Sequence, residues 1–204
     1  MLIDNLKLVD PKGATIVCAS KYVLSDSIRK MYNLGIKNMG ENRVQAFLIK
    51  YDELKDLDII WHFIGHLQTN KVKDMINKIE YLHSLDSIKL ANEIEKYATK
   101  KIKCFIEINS GEENKTGISY DLALDFYNEL KKYEKIEVVG FMTMAPNTTD
   151  ENVIRNCFLK LKDFRDKIDP NLFLSMGMSN DYKIALECGA THIRLGSILW
   201  KGEY

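Results

Sequence analysis

Three groups of residues in the sequence have side chains and settings suited to chemistry. Lys21 follows directly on the mostly apolar run 14–20. A lysine whose stem sits among apolar side chains is desolvated, and desolvation disfavours the ammonium and yields a nucleophilic amine. The natural use of such an amine is a Schiff base with an aldehyde. The alternative is a lysine that leaves its strand and reaches water. Arg194 lies inside a second apolar run, 192–199, where an unpaired guanidinium is expensive and needs an acceptor. A carboxylate such as Glu107 and a heteroaromatic nitrogen on a bound molecule are both acceptors of the right kind. Gly177 with Ser179, and Gly196 with Ser197, form two small-residue turns. Glycine lets backbone N–H groups approach a phosphate, and serine hydroxyls add donors.

These groups need elements to bring them together. Eight short runs rich in apolar or β-branched residues recur, at 14–20, 37–41, 59–65, 81–86, 103–110, 137–145, 172–179 and 192–199. Most are nearly continuous in apolar residues, as strands buried on both faces are. Between them lie segments with a 3.6-residue apolar period, at 25–34, 43–55, 69–79, 87–100, 119–133, 149–168 and 180–188. Ser119 is the expected N-cap of one, and Gly189 the expected C-cap of another. Strand starts fall roughly 20–35 residues apart, one βα unit per interval. Eight units predict an α/β fold, a single closed (β/α)8 TIM barrel occupying residues 1–204. An open doubly wound sheet is the alternative, weakened by the lack of a GxGxxG after the first strand.

A barrel gathers function at the C-terminal ends of its strands, with a recurrent phosphate site in the loops after strands seven and eight. Lys21 ends strand one, Ser179 ends strand seven, and Arg194, Gly196 and Ser197 lie at strand eight. A Schiff-base lysine, a phosphate cup and a donor to a ring nitrogen together describe a site for pyridoxal 5′-phosphate.

Composition limits the other classes. The 204 residues carry 29 Lys+Arg against 29 Asp+Glu, a balance that speaks against nucleic acid as a partner. No apolar run approaches the roughly 18 residues of a membrane span, and residues 1–13 contain acids and no apolar stretch, so no secretory leader is expected. Cys18, Cys104, Cys157 and Cys188 stand singly, which fits a reduced, cytoplasmic chain and gives no zinc spacing.

Longer motifs carry a resemblance. They are Val17-Cys18-Ala19-Ser20-Lys21, Gly40-Glu41-Asn42-Arg43-Val44-Gln45, and Trp61-His62-Phe63-Ile64-Gly65-His66-Leu67-Gln68-Thr69-Asn70-Lys71. There follow His83-Ser84-Leu85-Asp86-Ser87, Ile108-Asn109-Ser110-Gly111 running on to Gly117, Leu174-Ser175-Met176-Gly177-Met178-Ser179 and Ile193-Arg194-Leu195-Gly196-Ser197. From about residue 15 to 199 the chain resembles the pyridoxal phosphate homeostasis proteins. The resemblance implies a fold type III barrel like the N-terminal domain of alanine racemase, without that enzyme's second β-domain. It implies that Lys21 carries pyridoxal phosphate through a Schiff base. Ser179, Gly196 and Ser197 would hold the phosphate, Arg194 the pyridine nitrogen, and Asn42 the ring face. The implied role is to bind, buffer and deliver the cofactor to apo-enzymes that need it. Two departures stand at the ends: few residues precede the first strand, and the tail reads Leu199-Trp200-Lys201-Gly202-Glu203-Tyr204.

Physics separately favours a carrier over an enzyme. Arginine stays protonated, so beside the ring nitrogen it discourages ring protonation and weakens the ring as an electron sink. Racemases of this fold take a second base from an added domain and a dimer partner, whereas the length here suggests a monomeric barrel. A racemase-like amino-acid enzyme and a Schiff-base aldolase acting on a sugar phosphate are the alternatives. Among the remaining polar residues, His62 reads as a satisfied core histidine. His66 is placed to face the barrel mouth, and Thr69 to cap a helix. Lys115 sits in a polar loop that suits an anion or plain solvation. Glu41 and Asn42 end strand two, where helix capping is their ordinary use. Met142, Met144, Met176 and Met178 read as barrel packing.

Overall fold

A computed structural model describes residues 2–111 and 116–203. Eight parallel strands pair in chain order and close into a barrel. They are β1 (Thr15–Ala19), β2 (Asn38–Glu41), β3 (Ile60–Phe63), β4 (Tyr81–Leu85), β5 (Ile102–Glu107), β6 (Ile136–Met142), β7 (Phe173–Met178) and β8 (His192–Leu195). Closure comes from β1 pairing with β8, with Thr15 opposite His192 and Val17 opposite Arg194. Each expected strand is present, most of them shorter than the apolar run that announces it. The runs overshoot because apolar side chains continue past the last ladder hydrogen bond into the mouth of the barrel.

The helices lie outside. They are α1 (Leu2–Lys7), α2 (Ser25–Asn33), α3 (Val44–Glu53), α4 (Val72–Met75), α5 (Ile88–Tyr97), α6 (Tyr120–Leu130), α7 (Glu151–Ile168) and α8 (Tyr182–Glu187). Each turns an apolar stripe inward; α2, for example, buries Ile28 and Met31. Local chemistry sets several ends. Ser87 accepts the Leu90 N–H at the start of α5, and Asp150 accepts those of Asn152 and Val153 at the start of α7. Each such cap contributes about 1 kcal/mol. Ser119 occupies the N-cap position of α6, but its side chain makes no capping bond.

One expected helix is broken. Residues 69–79 form a 3-10 turn (Thr69–Lys71), the single α-turn α4, and a second 3-10 turn (Ile76–Lys78). Gln68, not Thr69, is the first N-cap. The apolar period survives because 3.0 and 3.6 residues per turn differ little over so short a segment. Helix α1 was not anticipated. It packs against the chain after β8, where Asn5 Nδ2 donates to the carbonyls of Leu199 and Lys201, both at 2.9 Å.

The lumen is unusual for this architecture, whose interior is ordinarily branched and aliphatic. Rings fill its lower part. Tyr81 stacks on His62 at 4.4 Å between centroids, Phe105 on His83 at 4.4 Å, and His192 meets Phe105 edge-on at 5.1 Å. Among the described residues no helix is long and apolar enough to cross a membrane.

Candidate functional site

A cavity of about 580 Å³ opens at the C-terminal ends of the strands. Lys21, Asn42, Ser179, Arg194, Gly196 and Ser197 all line it. They come from four strand ends, β1, β2, β7 and β8, which barrel closure makes consecutive.

Lys21 departs from expectation. It is exposed, and its Nζ rests 4.7 Å from the centre of the Tyr22 ring. Strand β1 stops at Ala19 and Ser20 takes the last buried position. The lysine therefore starts the turn and reaches the cavity from its rim rather than from among barrel side chains. The backbone on either side is firmly placed. Lys50 of α3 pairs with Glu41 at 2.6 Å and donates to the Ser20 carbonyl at 2.7 Å. The other Glu41 oxygen accepts the Asn42 N–H at 2.8 Å. Glu41 thus braces the site from behind and does not cap a helix by its side chain. Gly65 closes this side, because any Cβ there would run into the Asn42 backbone. Asn42 Oδ1 is buried on the cavity wall and has no partner among the described residues.

On the adjoining wall, beside β1, Arg194 is buried. Its Nη1 donates to Ser175 Oγ at 2.6 Å and its Nη2 to the Thr143 carbonyl at 3.1 Å. No described carboxylate forms an ion pair with it. Glu107 is not its direct partner: that carboxylate accepts the Thr116 hydroxyl at 2.6 Å and acts on Arg194 through longer-range attraction. Burial lowers the guanidinium to about 10, and Asp181 and Glu107 oppose the shift. The same burial raises the carboxyls of Glu107 and Asp181. A buried cation with donors left over and no adjacent anion is a receptor for an acceptor atom.

Ser179 lies between the last two loops. Its Oγ accepts the N–H of Gly196 at 3.2 Å and of Ile198 at 3.5 Å. These amides converge on one hydroxyl oxygen beside the cavity, a cluster of donors of the kind that suits a phosphate. Upstream, Gly177 has φ of 95°, and a Cβ there would meet the Ala185 methyl at 2.6 Å, so the turn into α8 admits only glycine.

The residues therefore fit pyridoxal phosphate. Amide and hydroxyl donors stand at one end, an acceptor-seeking guanidinium at the side, an orphaned amide oxygen on the wall, and an amine at the rim. Sequence reasoning missed the loop after β6, where Met144, Ala145, Pro146, Asn147 and Thr148 line the cavity, and also Trp200. The Trp200 indole donates to the Ala19 carbonyl at 2.7 Å. Of the four methionines read as packing, Met142 and Met176 are buried, whereas Met144 and the exposed Met178 line the cavity. His66 is exposed, 3.8 Å from Asp86, and does not line it. Lys115 lies outside the described residues.

Comparison with known proteins agrees with this geometry. Residues 27–203 match the family described as alanine racemase, N-terminal domain. A pyridoxal phosphate homeostasis protein of Aquifex aeolicus is 43% identical over 196 residues, covering 92% of this chain and 86% of that protein. One from Helicobacter pylori is 38% identical over 192 residues, covering 91% and 86%. Among solved structures, PipY of Synechococcus elongatus with PLP bound is similar with a TM-score of 0.87 at 29% identity, over 97% of each chain. An alanine racemase of Clostridium difficile shares the barrel at a TM-score of 0.77 and 16% identity, this chain covering 55% of its length. The chain belongs to the alanine racemase N-terminal domain family and, through relatives this similar along nearly its whole length, to the pyridoxal phosphate homeostasis proteins.

Proposed function

We propose that this protein binds pyridoxal 5′-phosphate and takes part in its homeostasis, holding the cofactor for buffering and for delivery to apo-enzymes. The single observation that carries the reading is the convergence of Lys21, Asn42, Ser179, Arg194, Gly196 and Ser197 on one cavity. The bound cofactor would supply an aldehyde carbon that accepts an amine. Lys21 offers that amine from the rim. The Gly196 amide and the Ser179 and Ser197 hydroxyls take the phosphate. Arg194 donates to the ring nitrogen and, staying protonated, keeps that nitrogen an acceptor. Asn42 faces the ring from β2. The protein works in the cytoplasm, as one barrel domain and as a monomer.

Carriage rather than catalysis is the favoured form of this function, since an unprotonated ring is a poor electron sink. One observation supports a racemase-like reading as the second choice. Tyr22 lines the cavity next to Lys21 and brings a second proton-bearing group to the same site.

Absorbance and mass spectrometry after borohydride reduction test the reading. The expected result is a visible band and a pyridoxyl adduct on Lys21. Retention of the same trapped adduct in Lys21→Ala would overturn the lysine assignment. Turnover-linked deuterium exchange at an amino-acid Cα would favour the enzyme instead.

A further inference from the structure

A run of hydrogen bonds descends from Arg194 through the lumen. Arg194 Nη1 contacts Ser175 Oγ at 2.6 Å, and Ser175 Oγ contacts His83 Nδ1 at 2.8 Å. His83 Nε2 then meets His62 Nδ1 at 2.9 Å, and His62 Nε2 meets Asn38 Oδ1 at 2.9 Å. Both rings and Ser175 are fully buried, and Asn38 opens β2 at the other end of the barrel.

The direction of this run follows from its first member. A guanidinium only donates. Ser175 Oγ accepts from it, so the serine proton is available for His83 Nδ1. A bare Nδ1 on His83 places that ring's proton on Nε2, which donates to His62 Nδ1. His62 in turn carries its proton on Nε2 and donates to Asn38 Oδ1. Reversing the order would set His62 Nε2 and Asn38 Oδ1 acceptor to acceptor. It would also leave the serine proton without a recipient.

We propose that Ser175, His83 and His62 are positioning residues for Arg194, a one-way donor chain that fixes the guanidinium plane and aims its free N–H groups into the cavity. Two further observations support this. Burial holds both rings well below the usual histidine range, hence neutral, as a donor–acceptor chain requires. In addition, no described carboxylate is adjacent to Arg194 to orient it, and among the described residues the chain and the Thr143 carbonyl hold it. Hydrogen bonds polarised in one direction reinforce one another in a low-dielectric interior. The positioning role rests on the cofactor reading above; the existence of the chain does not.

The test has two arms. In cofactor-free protein, nitrogen-15 NMR of the imidazoles is expected to show the Nε2–H tautomer at both His62 and His83. An Nδ1–H tautomer at either ring overturns the chain, whatever the ligand. In the second arm, Ser175→Ala is expected to shift the visible band of bound pyridoxal phosphate and weaken its binding about tenfold. Ser175→Thr, which keeps the hydroxyl, restores both. An unchanged band and affinity in Ser175→Ala overturns the positioning role. Failure of the unaltered protein to bind pyridoxal phosphate sinks the cofactor reading and the positioning role together, and the NMR arm still decides the chain.

Discussion

Lys21 and Asn42 stand at the ends of β1 and β2, while Arg194 and Ser179 stand at the ends of β8 and β7, and the two walls are held by different means. On the first wall the brace is a buried ion pair between the helix layer and the sheet. Lys50 and Glu41 fix the Ser20 carbonyl and the Asn42 amide, which is backbone. The Lys21 side chain is left exposed. On the second wall the brace lies in the lumen and is built of neutral rings and a hydroxyl. It grips the Arg194 side chain itself. Under the proposed function the contrast separates two demands. A group that must form and release a bond needs a fixed anchor and a free end. A group that must recognise a ring nitrogen needs a fixed end.

The largest expected effect breaks the first brace. Lys50→Ala leaves Glu41 buried and unpaired, and should lower unfolding free energy by about 3–5 kcal/mol in denaturant titrations. Replacing both partners, as Glu41→Gln with Lys50→Met, should recover most of that loss. Equal stability of the single and double variants would show that the pair is not the brace.

Acid should act on the second wall. His192, beside the ring cluster, is lowered from 6.5 to about 4, first by desolvation and then by Arg194. A folded-state value below the unfolded one means the unfolded chain binds more protons in that window. Stability is therefore complete above pH 6.5 and declines as pH falls toward 4, by about 3 kcal/mol for this one group. Melting curves between those limits check the sign; a flat profile would detach the histidines from acid sensitivity. The smallest effect joins the walls. Trp200→Phe removes the donor to the Ala19 carbonyl and should cost about 1 kcal/mol in the same denaturant assay.

Much of this was legible in the sequence, for identifiable reasons. Strand count and order followed from runs of apolar residues, and barrel closure then brought Lys21 and Arg194 to one rim. His62 was readable as a satisfied core histidine, because an imidazole inside an apolar strand must find partners. Its actual partner, His83, was not. Which side chains meet across a lumen depends on strand register and tilt, and β4 carries a register shift between Leu82 and Leu85 that no local pattern announces. Lys21 was placed correctly along the chain but wrongly in depth, since apolarity continues past the point where β1 ends. The break in residues 69–79 was hidden for a similar reason. Periodicity reports which face is apolar, not whether Met75 holds a helical φ, and its φ of −132° does not.

The β1–β8 seam has a consequence for the order in which the molecule is made. Strand β1 leaves the ribosome early, yet its second edge is filled only when β8 follows. Until then β1 exposes unpaired backbone, and the lumen is an open trough. Pairing between elements so distant in sequence is slow. The cavity that joins Lys21 to Arg194 is thus the last part of the barrel to close, and a nascent chain lacking β8 has neither Arg194 nor Gly196 and Ser197 at that wall.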